Sequence, residues 1–189
     1  MRRAITAVTG ALCTAVLLTG CSPPDLRLAA LWKGEDGRWW AELRPCGDDL
    51  LNSPHLSGWP TEETETAGSE TAGSEAAGSG GSPSPEPEPE PTIDDSTGWR
   101  TWSMTPTGRV RFPLFEPPES WRAEATGPQE LRPGYTYGLT FRVGADSSVY
   151  RGSVFASTEE LATLRPGQVW ADGRAMSMDE FDDVVADQC

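Results

Sequence analysis

An all-β sandwich of about seven strands, with short helices at its C-terminal end, is the fold this sequence predicts. Three observations carry that expectation. From Gly98 onward, turn-forming residues recur roughly every 8 to 12 positions, the spacing of short antiparallel strands. Tyr137, Leu139, Phe141 and Val143 alternate with Gly138, Thr140 and Arg142, the period-two pattern of a strand with one buried face. Two Ser-x-x-Glu spacings, Ser157 with Glu160 and Ser177 with Glu180, mark helix starts near the end of the chain.

Taken in order, the chain opens with Arg2 and Arg3, runs through apolar residues from Ala4 to Leu18, and reaches small residues before Cys21, the layout of an export signal. The apolar run falls short of the roughly 20 residues needed to cross a bilayer. Leu18-Thr19-Gly20-Cys21 resembles the lipobox of bacterial lipoproteins. That resemblance implies that residues 1–20 are a lipoprotein signal peptide, that Cys21 is joined to diacylglycerol, and that the mature chain is held at the extracytoplasmic face of the cell membrane. Two acyl chains anchor stably where one binds only marginally. Of 15 basic residues only Lys33 is a lysine, and Ala, Gly and Pro are abundant, which reads as a GC-rich genome. With the lipobox, the chain resembles small actinobacterial envelope lipoproteins, a resemblance that implies a location but no activity.

Leu26 to Trp32 and Arg38 to Arg44 flank a turn-rich Lys33-Gly34-Glu35-Asp36-Gly37, which predicts a hairpin. In its second strand Trp39, Ala41 and Leu43 share one face and Trp40, Glu42 and Arg44 the other, so one of the adjacent tryptophans must leave the core. Residues 61–95 then change character. Glu65-Thr66-Ala67-Gly68-Ser69 recurs as Glu70-Thr71-Ala72-Gly73-Ser74 and nearly again from Glu75, followed by alternating Pro and Glu from Pro85 to Pro91. Such a segment lacks the apolar surface to offset its ordering entropy and is expected to be a disordered acidic insertion. Residues 21–60, anchor plus hairpin, are too few to fold alone. They are therefore expected to join residues 96–189 in one domain rather than to form a stalk.

Beyond the insertion, candidate strands are Trp99 to Met104, Arg109 to Phe112, Ser120 to Ala125, Tyr135 to Val143 and Ser148 to Phe155. Pro113, Pro117 and Pro118 confine the stretch from Phe112 to Glu119 to an edge or an irregular crossover. Leu131-Arg132-Pro133-Gly134-Tyr135-Thr136-Tyr137 resembles the L-x-P-G-x-x-Y turn of fibronectin type III and related immunoglobulin-like domains. It implies a sandwich of that type with Tyr137 as the tyrosine corner. In the last helix Phe181, Val184 and Val185 share a face, and Cys189 lies four residues beyond Val185, toward the core.

Four cysteines reduce to two once Cys13 leaves with the signal and Cys21 is lipidated. Outside the cell, Cys46 and Cys189 are expected to form a disulfide, with a metal pair or free thiols as the alternatives. The full chain carries a net charge of −14, and residues 21–189 carry −16, ten of the acids lying between residues 61 and 95 without one Lys or Arg. An acidic chain of this kind lacks the basic footprint of a nucleic-acid binder.

No phosphate-binding loop, dinucleotide fingerprint, HExxH, CxxC or GxSxG motif is present. His55 is the single histidine and excludes a metal site built mainly from imidazole. The acidic pairs Asp48-Asp49, Glu159-Glu160 and Asp182-Asp183 are the candidates for a hydrolytic dyad or a calcium site. Of the eight tryptophans, Trp40 and Trp59 are expected to be exposed as an aromatic binding surface. The reading is a non-enzymatic, membrane-anchored envelope lipoprotein without cofactor or metal, binding a protein or glycan or serving a structural role. The alternative is an envelope hydrolase using acidic residues or His55.

Overall fold

The computed structural model describes residues 22–61, 96–102, 104–106, 108–144 and 149–189. The signal segment 1–20, Cys21 and, apart from Thr61, the insertion 61–95 lie outside the described residues. Before residue 62 come β1 (Asp25–Leu26), β2 (Ala29–Lys33), β3 (Trp39–Leu43) and β4 (Leu50–Pro60). After residue 95 come β5 (Thr97–Arg100), β6 (Met104–Pro106), β7 (Val110–Pro113) and β8 (Glu124–Thr126). These are followed by β9 (Tyr135–Val143), β10 (Tyr150–Ser157), β11 (Gln168–Ala171) and β12 (Arg174–Ser177). Helix α1 (Thr158–Ala162) follows β10, and α2 (Met178–Gln188) ends the chain.

The strands make a sandwich. Sheet I runs β1-β10-β9-β4-β5-β8, with β6 also on β4; sheet II runs β12-β11-β2-β3-β7. All pairings are antiparallel except β1 with β10. Strands from either side of residues 62–95 interleave in both sheets, and Gly58 of β4 faces Thr97 of β5. The undescribed stretch therefore connects two neighbouring antiparallel strands of one sheet.

The predicted hairpin is β2–β3, paired from Ala29 with Leu43 to Lys33 with Trp39. Period-two alternation sends Ala29, Leu31, Ala41 and Leu43 into the main core against Leu51, Leu56, Leu139 and Phe141 of sheet I. One end of the core is filled by Trp99 of β5, Phe112 of β7 and Trp121, whose ring centroids lie 5.1 to 6.0 Å apart. The Trp99 indole N–H donates to the Leu114 carbonyl at 2.7 Å. Trp121 belongs to a 3-10 turn at Glu119–Trp121. The strand expected from Ser120 to Ala125 is replaced by this turn and the short β8, because the pair Pro117-Pro118 supplies no ladder donors.

Twelve strands, rather than about seven, are present among the described residues. The largest addition is β4, whose eleven residues lie between β9 on one side and β5 with β6 on the other. Its prolines argue against a central strand, but the register shifts between Asn52 and His55. Ser53 there takes a positive φ of 48°, and Pro54 is buried in the bulge. A bulge is one of the few places where a sheet tolerates proline. The β11–β12 hairpin was also unanticipated. Asp172 and Gly173 both take positive φ, 50° and 68°, the backbone of a type I′ turn for which Asp-Gly is a strong signal.

Both predicted helices are present with complete capping boxes. Ser157 Oγ accepts from the Glu160 N–H at 3.1 Å while the Glu160 carboxylate accepts from the Ser157 N–H at 2.7 Å; Ser177 and Glu180 do the same at 3.2 and 2.7 Å. The α2 helix lays Phe181 on the outer face of sheet II, where Ala30, Val169, Ala171 and Met176 form a second, smaller core. Cys46 and Cys189 are joined as a disulfide with Cα atoms 5.3 Å apart, tying the end of α2 to the segment after β3. Cys189 itself is exposed rather than directed to the core, since it caps the helix where it runs off the sheet.

Candidate functional site

The two sheets expose very different outer faces. On sheet II the face is closed. The Glu42 side chain is fully buried there, ringed by Arg44 at 2.5 Å, Arg111 at 2.5 Å and Arg109. Arg44 also reaches Asp182 on α2 and lies over the Phe181 ring, 5.2 Å from its centroid. Burying a carboxylate is tolerable only with such pairing. Trp40 was expected to be exposed. It is instead half-buried, stacked on Trp32 with centroids 6.4 Å apart and overlain by Arg38 at 5.5 Å. Its indole N–H points to Asp36 at 3.3 Å. Arg111 lies over the other tryptophan, 5.7 Å from the Trp32 ring. Trp39, on the opposite face of β3, packs against the main core.

On sheet I the outer face is open. Trp59, as anticipated, is exposed at 40%, and it meets Phe155, exposed at 48%, edge-on at 6.4 Å. Both rings lie over Gly138, where a Cβ would come within 2.6 Å of Phe155 and 3.3 Å of Trp59, so glycine is needed for this close approach. Trp102, which sequence reasoning missed, is the most exposed large apolar side chain among the described residues, at 71%. The missed signal was its place in Trp99-Arg100-Thr101-Trp102: once Trp99 faces the core, strand alternation points Arg100 and Trp102 outward.

Beside Trp102 the sheet surface dips into a cleft of about 320 Å³. The β4 bulge brings Ser53 and His55 to it, with Ser57 two residues on; Arg100, Thr101 and Trp102 form the wall following β5, and Arg142 enters from β9. Thr140 Oγ1 lies 3.2 Å from Nδ1 and 3.1 Å from Nε2 of His55. Near-equal distances put the hydroxyl against the ring face rather than along either nitrogen's in-plane direction, so both nitrogen edges are free of a well-aligned bond from it. Arg100 lies over the Trp102 ring, 5.2 Å from the centroid, and meets Glu124 at 3.5 Å. Arg142 has no carboxylate partner among the described residues. The Thr101 hydroxyl is buried and without a hydrogen-bond partner among them.

Two other hollows are less equipped. One of about 370 Å³ lies between the β2–β3 turn and the loop Leu164 to Gly167, and one of about 200 Å³ lies beside Trp39 and Phe115. Neither holds a buried polar group lacking a partner.

No protein-family model matches this chain, and neither the curated proteins nor the solved structures compared with it yield a match. The site therefore rests on its own geometry.

The acidic pairs do not converge on the cleft. Asp49 accepts from the Tyr150 hydroxyl at 2.9 Å, Asp182 pairs with Arg44, and Glu159 accepts from the Gly134 N–H at 3.2 Å. Glu160 is occupied in its capping box. Hydrogen bonds from backbone N–H groups, that of Gly134 among them, hold the Glu159 carboxyl below its ordinary range. No group of three or more metal-ligating side chains lies together among the described residues, and no described helix is long and apolar enough to cross a membrane.

Proposed function

We propose that this protein is a lipid-anchored envelope lipoprotein whose folded domain binds a cell-wall glycan through the outer face of sheet I, without turnover. On this reading residues 1–20 are the cleaved signal, Cys21 carries diacylglycerol, and residues 21–189 work on the extracytoplasmic side. The observation that carries the binding role is the uncovered face itself. Trp102, Phe155 and Trp59 are exposed at 71%, 48% and 40% on one sheet, while the equivalent face of the other sheet lies under a helix and an ion network. Exposed aromatic side chains grouped on a rigid surface mark interaction sites. No carboxylate lines the cleft, so no carboxylate dyad is assembled there, and His55 is its one lining side chain suited to general acid or base work.

The same reading takes the sandwich as immunoglobulin-like, of the fibronectin type III kind. In its support, β2-β3-β7 corresponds to the A-B-E order of such folds and β4-β9-β10 to C-F-G. Tyr137, on the strand equivalent to F, donates to the Glu130 carbonyl at 3.0 Å and accepts from the Arg132 N–H at 2.8 Å, the bonding of a tyrosine corner.

The test is co-sedimentation of the full-length chain, purified in detergent, with insoluble cell-wall fragments. Binding is expected for the wild type, loss for a Trp59→Ala/Trp102→Ala double variant, and no release of soluble wall fragments. Retention by the double variant would move the site elsewhere, and fragment release would make the protein an enzyme. In cells, Cys21→Ser is expected to abolish lipid labelling of the chain.

A further inference from the structure

Resting on that reading of the sheet I face, we propose that the cleft formed by β4, β5 and β9 binds an anionic saccharide, one carrying a carboxylate beside its hydroxyls. Charge sets the cleft apart from the rest of the molecule. In a chain of net charge −14 the cleft is lined by Arg100, Arg142 and His55, and by no acid. Arg142 has no carboxylate partner among the described residues. Arg151 is its cross-strand partner on β10, adding a second guanidinium to the same neighbourhood. Among the described residues the one carboxylate that Arg100 meets is Glu124, at 3.5 Å, with both side chains about 60% exposed. A pair so exposed contributes little and exchanges readily for a ligand carboxylate. The guanidinium fork matches a carboxylate through two parallel hydrogen bonds.

The rest of the lining suits a sugar. Ser53, Ser57 and the His55 ring, whose Nδ1 also lies 3.4 Å from the Ser53 carbonyl oxygen, offer donors and acceptors suited to sugar hydroxyls. The exposed indole of Trp102 supplies a flat apolar plate for a sugar ring, held in place from one side by Arg100. Bare inorganic anions need neither the plate nor a cleft of about 320 Å³, which lies at the small end of ligand sites.

A peptide usually gains affinity by adding a strand to a free sheet edge. Here β4 is paired on both sides, with β9 and with β5 and β6, so its main chain is already occupied. Recognition must come from side chains standing on the sheet, which suits a saccharide lying across it.

The experiment titrates the full-length chain in neutral detergent with oligogalacturonate, followed by tryptophan fluorescence and calorimetry. The same oligomer with its carboxyls methyl-esterified, and inorganic phosphate, serve as comparisons. Oligogalacturonate is expected to bind. Esterification and Arg142→Gln are each expected to weaken binding about tenfold or more, the effect of losing a charged hydrogen-bond pair. Trp102→Ala is expected to weaken it about fivefold, as loss of an aromatic contact does, and phosphate is expected not to compete. Arg142→Lys, which keeps the charge but not the fork, should fall between wild type and Arg142→Gln.

Equal binding of the ester, competition by phosphate at equal concentration, or full affinity in Arg142→Gln and Trp102→Ala would each overturn the proposal. So would an absence of binding to oligogalacturonate. If wall fragments are still bound through Trp59 and Trp102 in that case, only the ligand class is wrong; if they are not, the binding face is wrong as well. Near-ultraviolet circular dichroism identical to wild type shows that each variant has folded.

Discussion

Tryptophan and arginine furnish the outer faces of both sheets, but in opposite states. On sheet II, Trp32 and Trp40 stack on each other beneath Arg111 and Arg38, three arginines converge on Glu42, and α2 covers the rest. On sheet I the same residue types, Trp59, Trp102, Arg100 and Arg142, stand in solvent without a central carboxylate or a covering helix. The difference lies in one buried acid and one disulfide. Glu42 gathers the guanidinium groups that would otherwise face outward, and the Cys46–Cys189 bond holds α2 over the remainder. Aromatic and cationic side chains thus serve packing where a carboxylate and a helix engage them, and are left for a ligand where neither is present.

The sharpest way to break this contrast is to release the helix. The Cys46→Ser/Cys189→Ser variant opens a sequence separation of 143 residues. It is expected to lose about 4 kcal/mol, since the constraint on the unfolded chain grows with loop length. Urea unfolding of oxidised wild type against the variant measures the loss.

Next in size is Glu42→Ala, which leaves Arg44, Arg109 and Arg111 without their common partner. Removing one side of a buried ion pair costs about 3 to 5 kcal/mol. The lower figure is expected here because Arg109 and Arg111 are nearly half exposed and can rehydrate. A loss below about 1 kcal/mol would mean that the network contributes no more than a surface pair.

Tyr150 probes the closed interior near the disulfide. Its hydroxyl accepts from the Cys46 N–H at 2.7 Å and donates to Asp49, and burial pushes its pKa up to about 12. The folded state therefore holds this proton more tightly than the unfolded chain, whose tyrosines titrate near about 10. The resulting stabilisation is fully present below pH 10 and is lost as pH rises to about 12, some 2 to 3 kcal/mol in all. Stability measured across that interval should fall, and should fall less in Tyr150→Phe.

Smaller again is Ser177→Ala. It removes the N-cap of α2 and is expected to cost about 1 kcal/mol, read as a drop in melting temperature.

The smallest effects are expected on the open face. Trp102→Ala and Arg142→Gln should each change stability by less than about 0.5 kcal/mol, as surface substitutions do. A loss as large as that of Glu42→Ala would show that sheet I's face is structural too, and the contrast would disappear.

Much of the framework was legible in the sequence because it is written in local periodicity. The β2–β3 hairpin, the β9 strand around Leu139 and Phe141, and both capping boxes depend on residues only a few positions apart. The pairing of Cys46 with Cys189 was legible by elimination. The β4 strand was hidden because Pro54 and Pro60 contradict a central strand unless a bulge accommodates the first, and a bulge is set by the partner strand's register. The cleft was hidden for a related reason. His55 and Arg142 are 87 positions apart and meet only because β4 lies beside β9.

The sequence alone determined the β2–β3 hairpin, the β9 strand and both helix starts, which face of each is apolar, and where an anchor is expected. Tertiary structure alone decided which outward face became interior. Trp40 and Trp59 are indistinguishable by local pattern, each an outward-pointing tryptophan on a strand. One is half-buried because Trp32 and Arg38 close over it, and the other is exposed because only Phe155 adjoins it. Burial is a property of what another part of the chain brings to a surface, and strand periodicity carries no information about that.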